Sequence, residues 1–272
     1  MISIFAKPPF LMRHLQRVSS TVRGEQIAAY LGNARLNPPS GYENDTCIYV
    51  KPHITPIQDF KFEKKSWMDI HEAFDLIHIL NKYPEVGVIT LSDWDAKFLT
   101  DYIKNKIVLI PHHHCNFERV QHKQREKIKK VGITGSPGAF QHIPTVIREG
   151  LAKRKIALVE YSTFYPRTAV TRFHADIDVH LQWRPYQRRL STPFKIINAA
   201  SFGVPTIALN EPSFYEMEGC YIPIKTPEDF LIQLDNLIVS PKLYSDMAKV
   251  CIEKSEKYHI ENISKLYTEL DK

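Results

Sequence analysis

A chain of 272 residues is long enough for two modest α/β domains, and 43% apolar with 24% charged residues excludes a disordered or fibrous chain. Four scattered cysteines, Cys47, Cys115, Cys220 and Cys251, form no CxxC pair, which argues against a disulfide framework or a cysteine zinc site and leads to the expectation of a reducing cytoplasm. No run approaches the roughly 18 apolar residues of a membrane helix, no basic region precedes the first apolar run, and the formal charge of +6 suits an anionic ligand or surface without choosing one.

Residues 2–6 read as a first strand, followed by a loop with Pro8, Pro9, Arg13, His14 and Arg17. Ser19, Ser20 and Thr21 are candidate caps for a helix over 23–31 that ends at Gly32. After the turn cluster 38–41, residues 47–51 predict a strand. Residues 67–81 predict an amphipathic helix with Ile70, Phe74, Ile77 and Leu80 on one face, and 86–91 another strand. Ser92 is an N-cap for a helix to Lys104, with Asp93 and Asp95 in its first turn, and 107–110 is a short buried strand. Strands alternating with helices predict a parallel sheet with right-handed crossovers.

His112, His113, His114 and Cys115 follow. Adjacent residues on an extended chain face opposite ways, so they do not readily share one metal ion. A histidine here suits substrate binding or general-base work, or else a structural hinge. The basic run 122–130 reads as a solvated linker helix. A strand over 130–134, the small-residue loop from Gly135 and Ser136 to Phe140, and a helix over 143–152 form a unit that can bring backbone N–H groups to phosphate. Residues 156–160 form the next strand. Tyr161, Phe164 and Tyr165 at its C-terminal end can stack on a nucleobase or pack in a core. Residues 176–183 alternate acid and apolar before the central stretch.

That stretch, 188–211, is a basic, hydroxyl-rich loop with Arg188, Arg189, Ser191 and Thr192, a short helix over 193–202 and a strand over 205–209. Unpaired N–H groups at the helix start, with Arg189 on the loop and Lys195 in the first turn, suit a diphosphate. Asn198, one turn past Phe194, can reach a sugar hydroxyl. Thr226, Pro227, Glu228 and Asp229 cap a helix to about 239, and a helical stretch runs over 241–270.

Residues 198–207, Asn-Ala-Ala-Ser-Phe-Gly-Val-Pro-Thr-Ile, resemble the nucleotide-binding segment of GT-B glycosyltransferases, and 176–183 resembles a strand of the same domain. Many retaining members carry two glutamates eight positions apart, where this chain has Leu190 and Asn198. The resemblance implies an α/β, GT-B-like fold: two Rossmann-like domains facing a cleft, with a C-terminal helix crossing back to the first. Its boundaries are 1–116 for the acceptor-side domain, 117–250 for the nucleotide-sugar domain and 251–272 for the returning helix. It further implies donor contacts from Gly135, Ser136, Tyr161, Arg189, Ser191, Thr192, Lys195 and Asn198. Arg13, His14 and residues 23–25 become cleft candidates. His112, His14 and Asp93 are the candidate catalytic bases. The implied activity is sugar transfer from a nucleotide-diphosphate donor, a UDP-sugar, to a glycan, a lipid-linked saccharide or DNA, with neither metal nor cofactor. Two alternatives stand beside it: transfer onto a nucleic-acid base, and a non-catalytic nucleotide-sugar-binding protein on the same fold.

Overall fold

The computed structural model describes residues 1–6, 18–52, 60–122, 127–186 and 188–270. The chain divides into two compact units. The first comprises Met1–His113, Arg188–Thr192 and Ile260–Lys272, and the second His114–Gln187 and Pro193–His259.

The first unit contains strands β1 (Ile2–Phe5), β2 (Arg35–Leu36), β3 (Thr46–Val50), β4 (Lys65–Asp69), β5 (Gly87–Thr90) and β6 (Ile107–Leu109), with helices α1 (Gln26–Leu31), α2 (Ile77–Lys82) and α3 (Asp93–Leu99). They form one all-parallel sheet in the order β2-β1-β3-β4-β5-β6. Its central strands are buried along nearly their whole length, as a parallel sheet covered on both faces requires. A π-helix, Ser20–Glu25, leads into α1, and Ser19 makes no side-chain cap bond to it. Gly32 ends α1 at φ +68°.

The second unit contains β7 (Lys130–Thr134), α4 (Pro137–Phe140), α5 (Thr145–Lys153), β8 (Ala157–Tyr161), α6 (Arg167–Asp176), β9 (Val179–Gln182), α7 (Phe194–Ala200), β10 (Thr206–Leu209), β11 (Tyr221–Ile224), α8 (Pro227–Val239) and α9 (Pro241–Ser255). Its five strands are also parallel, in the order β11-β10-β9-β7-β8. The core joins Val131, Ile133, Val179 and Leu181 of the sheet to Ile147 of α5 and Phe230 and Leu234 of α8. The capping box at Thr226 and Asp229 is formed in both directions. The last helix, α10 (Ile260–Glu269), packs on α1 within the first unit.

Several expected elements differ. Residues 67–81 are not one helix: β4 occupies Lys65–Asp69, and a 3-10 turn at Phe74–Leu76 leads into α2. Lys65–Asp69 carries Trp67 and Met68 as its apolar residues, too few for a strand pattern, and Ile70, Phe74, Ile77 and Leu80 follow with helical spacing. The stretch 176–183 is strand only over β9, and α6, β2 and β11 have no counterpart in the sequence reading. The stretch 241–270 breaks into α9 and α10 at a 3-10 turn, Glu256–Tyr258. Residues 123–126 of the expected linker helix lie outside the described residues, and Lys130 already opens β7. No helix among the described residues is long and apolar enough to cross a membrane.

Candidate functional site

Ligands of open parallel sheets bind at the C-terminal strand ends, where the connections leaving neighbouring strands run to opposite sides. In the second sheet that point is β7 against β9, because β7 leads to β8 on one side and β9 to β10 on the other. Gly135 follows β7 directly. Its N–H donates to Tyr161 O at 3.1 Å, holding the loop against the end of β8. A Cβ on Gly135 would meet Ala139 at 3.3 Å and Phe140 at 3.4 Å, and would stand 3.9 Å from Lys195 Nζ. The loop after β7 thus packs closely on Ala139 and Phe140, and the lysine that α7 presents from its first turn stands at ordinary contact distance from it. Ser136, next along, is exposed.

The adjoining strand ends are also charged. Arg184, two residues past β9, donates from Nε to Glu211 Oε1 at 3.0 Å and from Nη2 to Glu211 Oε2, and Glu211 lies two residues past β10. Both side chains are mostly buried. His180, on β9 itself, is fully buried, with Thr206 Oγ1 3.4 Å from its Nδ1. Burial first, then the charges of His174 and Lys195, holds His180 well below the usual imidazole range. Burial alone pushes His174 down to about 3. Both histidines are thus neutral at physiological pH.

The remaining second-unit candidates have structural partners. The Tyr161 ring stacks on Phe173 at 4.6 Å and 15° between planes, the packing fate open to any strand-end tyrosine. Asn198 is buried, and its Oδ1 accepts the Cys115 N–H at 2.8 Å. The side-chain amide thereby holds the chain where the second unit begins.

Arg189, Ser191 and Thr192 belong to the first unit. Ser191 N donates to Asp95 Oδ1 at 3.1 Å, and Ser92 Oγ donates to Ser191 O at 3.2 Å. Arg188 pairs with Glu72, the Arg189 guanidinium lies 4.6 Å over the Phe74 ring, and Leu190 sits in the apolar core. Thr192 Oγ1 is buried without a hydrogen-bond partner. Asp93 is exposed in the first turn of α3.

His112 is fully buried, with its Nε2 3.1 Å from His71 Nε2. Burial first, then the charges of His71, Arg23 and His113, keeps it well below the usual imidazole range. His71 adopts φ +52°, uncommon for a non-glycine residue. His113 Nε2 instead meets Val22 O at 2.9 Å, and the His114 ring packs edge-on to His259. The three neighbouring histidines thus serve three separate contacts. Among the described residues no group of three or more His, Cys, Asp or Glu is placed to hold a metal ion. Arg23 is fully buried, bonded to Asp69 at 2.6 Å and to Pro111 O at 2.7 Å, with Tyr267 of α10 beneath it at 5.3 Å. The switch point of the first sheet lies at β1 and β3, but residues 7–17 and 53–59 that leave it, His14 included, are outside the described residues.

Sequence reasoning gave no role to Arg184, Glu211 or His71. The first two carried a usable signal, each standing just beyond an apolar strand run, whereas the partner of His71 lies 41 residues away.

No protein-family model matches the chain, and no curated protein matches it. Solved structures do match. A glycosyltransferase from Rickettsia africae aligns over 99% of this chain and 97% of its own, with TM-score 0.63 and 9% identity. The pneumococcal O-GlcNAc transferase GtfA, solved with UDP and GlcNAc, aligns over 94% of this chain and 60% of its own, with TM-score 0.57 and 12% identity. TarM aligns over 86% of this chain and 51% of its own, with TM-score 0.57 and 15% identity. This chain therefore spans little more than half the length of the last two. At these identities the likeness is one of architecture, and the chain has the GT-B fold of two Rossmann-like units.

Proposed function

We propose that the protein is a glycosyltransferase that takes a sugar from a nucleotide-diphosphate donor, a UDP-sugar, and passes it to an acceptor. The observation that carries this reading is Lys195 beside Gly135 at the β7/β9 switch point of the second unit. A cation beside a glycine-bearing loop at the C-terminal strand ends suits a diphosphate. The fold shared with a transferase solved with UDP and GlcNAc supports UDP as the first nucleotide to test.

In this reading Lys195 neutralises the departing diphosphate, so that no metal is required for that task. Ser136 leads the loop over it, and Asn198 offers its Nδ2 to a sugar hydroxyl while Oδ1 holds Cys115. Arg189, Ser191 and Thr192 shape the segment that precedes Lys195. Of the base candidates among the described residues, Asp93 is exposed and His112 is buried with its Nε2 against His71. The acceptor class is a glycan, a lipid-linked saccharide or DNA.

Calorimetry with UDP, followed by assays of UDP-sugar hydrolysis, tests the reading. Binding with slow hydrolysis is expected. Binding without hydrolysis or transfer would make this a nucleotide-sugar-binding protein, and no binding of any uridine nucleotide would overturn the proposal.

A further inference from the structure

Two of the four cysteines meet in the second unit, away from the β7/β9 crevice. Cys220 immediately precedes β11, the edge strand of the sheet, and Cys251 lies in α9; both are fully buried. Their positions are fixed by the surrounding backbone. Cys220 O accepts from Thr206 N at 3.2 Å and from Cys251 Sγ at 3.7 Å. Cys220 Sγ lies 3.8 Å from the carbonyl oxygen of Val250, the neighbour of Cys251. Each sulfur therefore lies against the stretch of backbone that carries the other cysteine. One helical turn on, Lys254 reaches back to Glu218 O at 2.5 Å, leaving a cation beside the pair.

We propose that Cys220 and Cys251 form an oxidative modification site at which a peroxide converts the thiol pair into an intramolecular disulfide tying β11 to α9. The contact with Cys251 first, and the charges of Lys254 and Lys257 after it, draw Cys220 below the ordinary thiol range, whereas Cys251 is held well above it. Burial pushes Cys47 up to about 11 and Cys115 up to about 12, so neither competes as a thiolate. The Cys220 thiolate attacks one peroxide oxygen; the O–O bond breaks and hydroxide leaves, giving a sulfenic acid. Cys251 loses its proton and attacks that sulfur; the S–O bond breaks and water leaves. Both sulfurs are oxidised, and one peroxide is reduced to two waters.

The sheltered position sets the rate, because the oxidant enters only when the edge strand opens locally. The consequence is mechanical. Ile252, next to Cys251, stands 3.4 Å from where a Gly203 Cβ would lie, and Gly203 closes the turn after α7. Fixing α9 stiffens the support of the helix that carries Lys195 and Asn198.

The test is to expose the full-length chain to hydrogen peroxide, alkylate the remaining thiols and map the peptides. The expected result is loss of two alkylatable thiols, a mass lower by two hydrogens, a linked Cys220–Cys251 peptide reversed by dithiothreitol, and a higher melting temperature when linked. Cys220→Ser should abolish the link while leaving Cys47 and Cys115 reduced. Should that variant fold poorly, the peptide map of the parent decides alone. Four free thiols after treatment, a sulfenic acid persisting at Cys220 without the link, or links through Cys47 or Cys115 would overturn the proposal.

Discussion

Asp95 accepts the backbone N–H of Ser191 at 3.1 Å, across 96 residues of sequence. With Ser92 Oγ donating to Ser191 O, the capped first turn of α3 grips both polar groups of one residue in the segment 188–192. Asp95 is 1% exposed, so the bond is made away from solvent. Asp95→Ala should therefore cost about 1–3 kcal/mol, the penalty of leaving a buried N–H without an acceptor, and Asp95→Asn should cost less because the amide oxygen still accepts. Urea titration reads the difference. Equal midpoints for the parent and Asp95→Ala would show that the contact holds nothing in place.

Asn198 combines a structural bond with a proposed ligand contact. Asn198→Ala strands the Cys115 N–H, so the variant should lose about 1–3 kcal/mol of stability. An amide that served only as a sugar ligand would give the opposite pattern, with weaker UDP-sugar affinity and an unchanged melting temperature.

The buried histidines set an acid limit. The folded-state pKa of His174 lies at about 3, and burial also lowers that of His180. In the unfolded chain each titrates near 6.5. Between those values the unfolded state binds more protons, so stability is full above about pH 6.5 and falls as pH drops toward the folded pKa. For His174 alone the loss is on the order of a few kcal/mol by pH 4. His174→Phe, in a site already flanked by Phe173 and Phe202, should flatten this part of the acid limb. Denaturant midpoints for parent and variant at neutral and acid pH make the comparison, and parallel pH profiles would contradict it.

The alternation of strands and helices, the capping box at Thr226 and the glycine-bearing loop after β7 were legible in sequence because each is local. The β4 strand was not, because Trp67 and Met68 are buried among other strands and Ile70, Phe74, Ile77 and Leu80 then continue with helical spacing. The destination of 188–192 was hidden for a different reason. Arg188, Arg189 and Ser191 have the composition of a phosphate loop, yet Glu72, Phe74 and Asp95, which engage them, lie roughly a hundred positions earlier, and no periodicity reports a contact of that range. Asn198 stands at the glutamate position of the resemblance, but its bond to Cys115 is again non-local.

The central claim is that Lys195, beside Gly135 at the β7/β9 switch point, holds a nucleoside diphosphate. Its most direct test is isothermal titration of UDP into the parent chain and Lys195→Ala. A charge-assisted bond to phosphate contributes about 1.5–3 kcal/mol, so the parent should bind UDP and the variant should bind about tenfold more weakly or worse, with the same melting temperature. Equal UDP affinity in the two chains would contradict the claim.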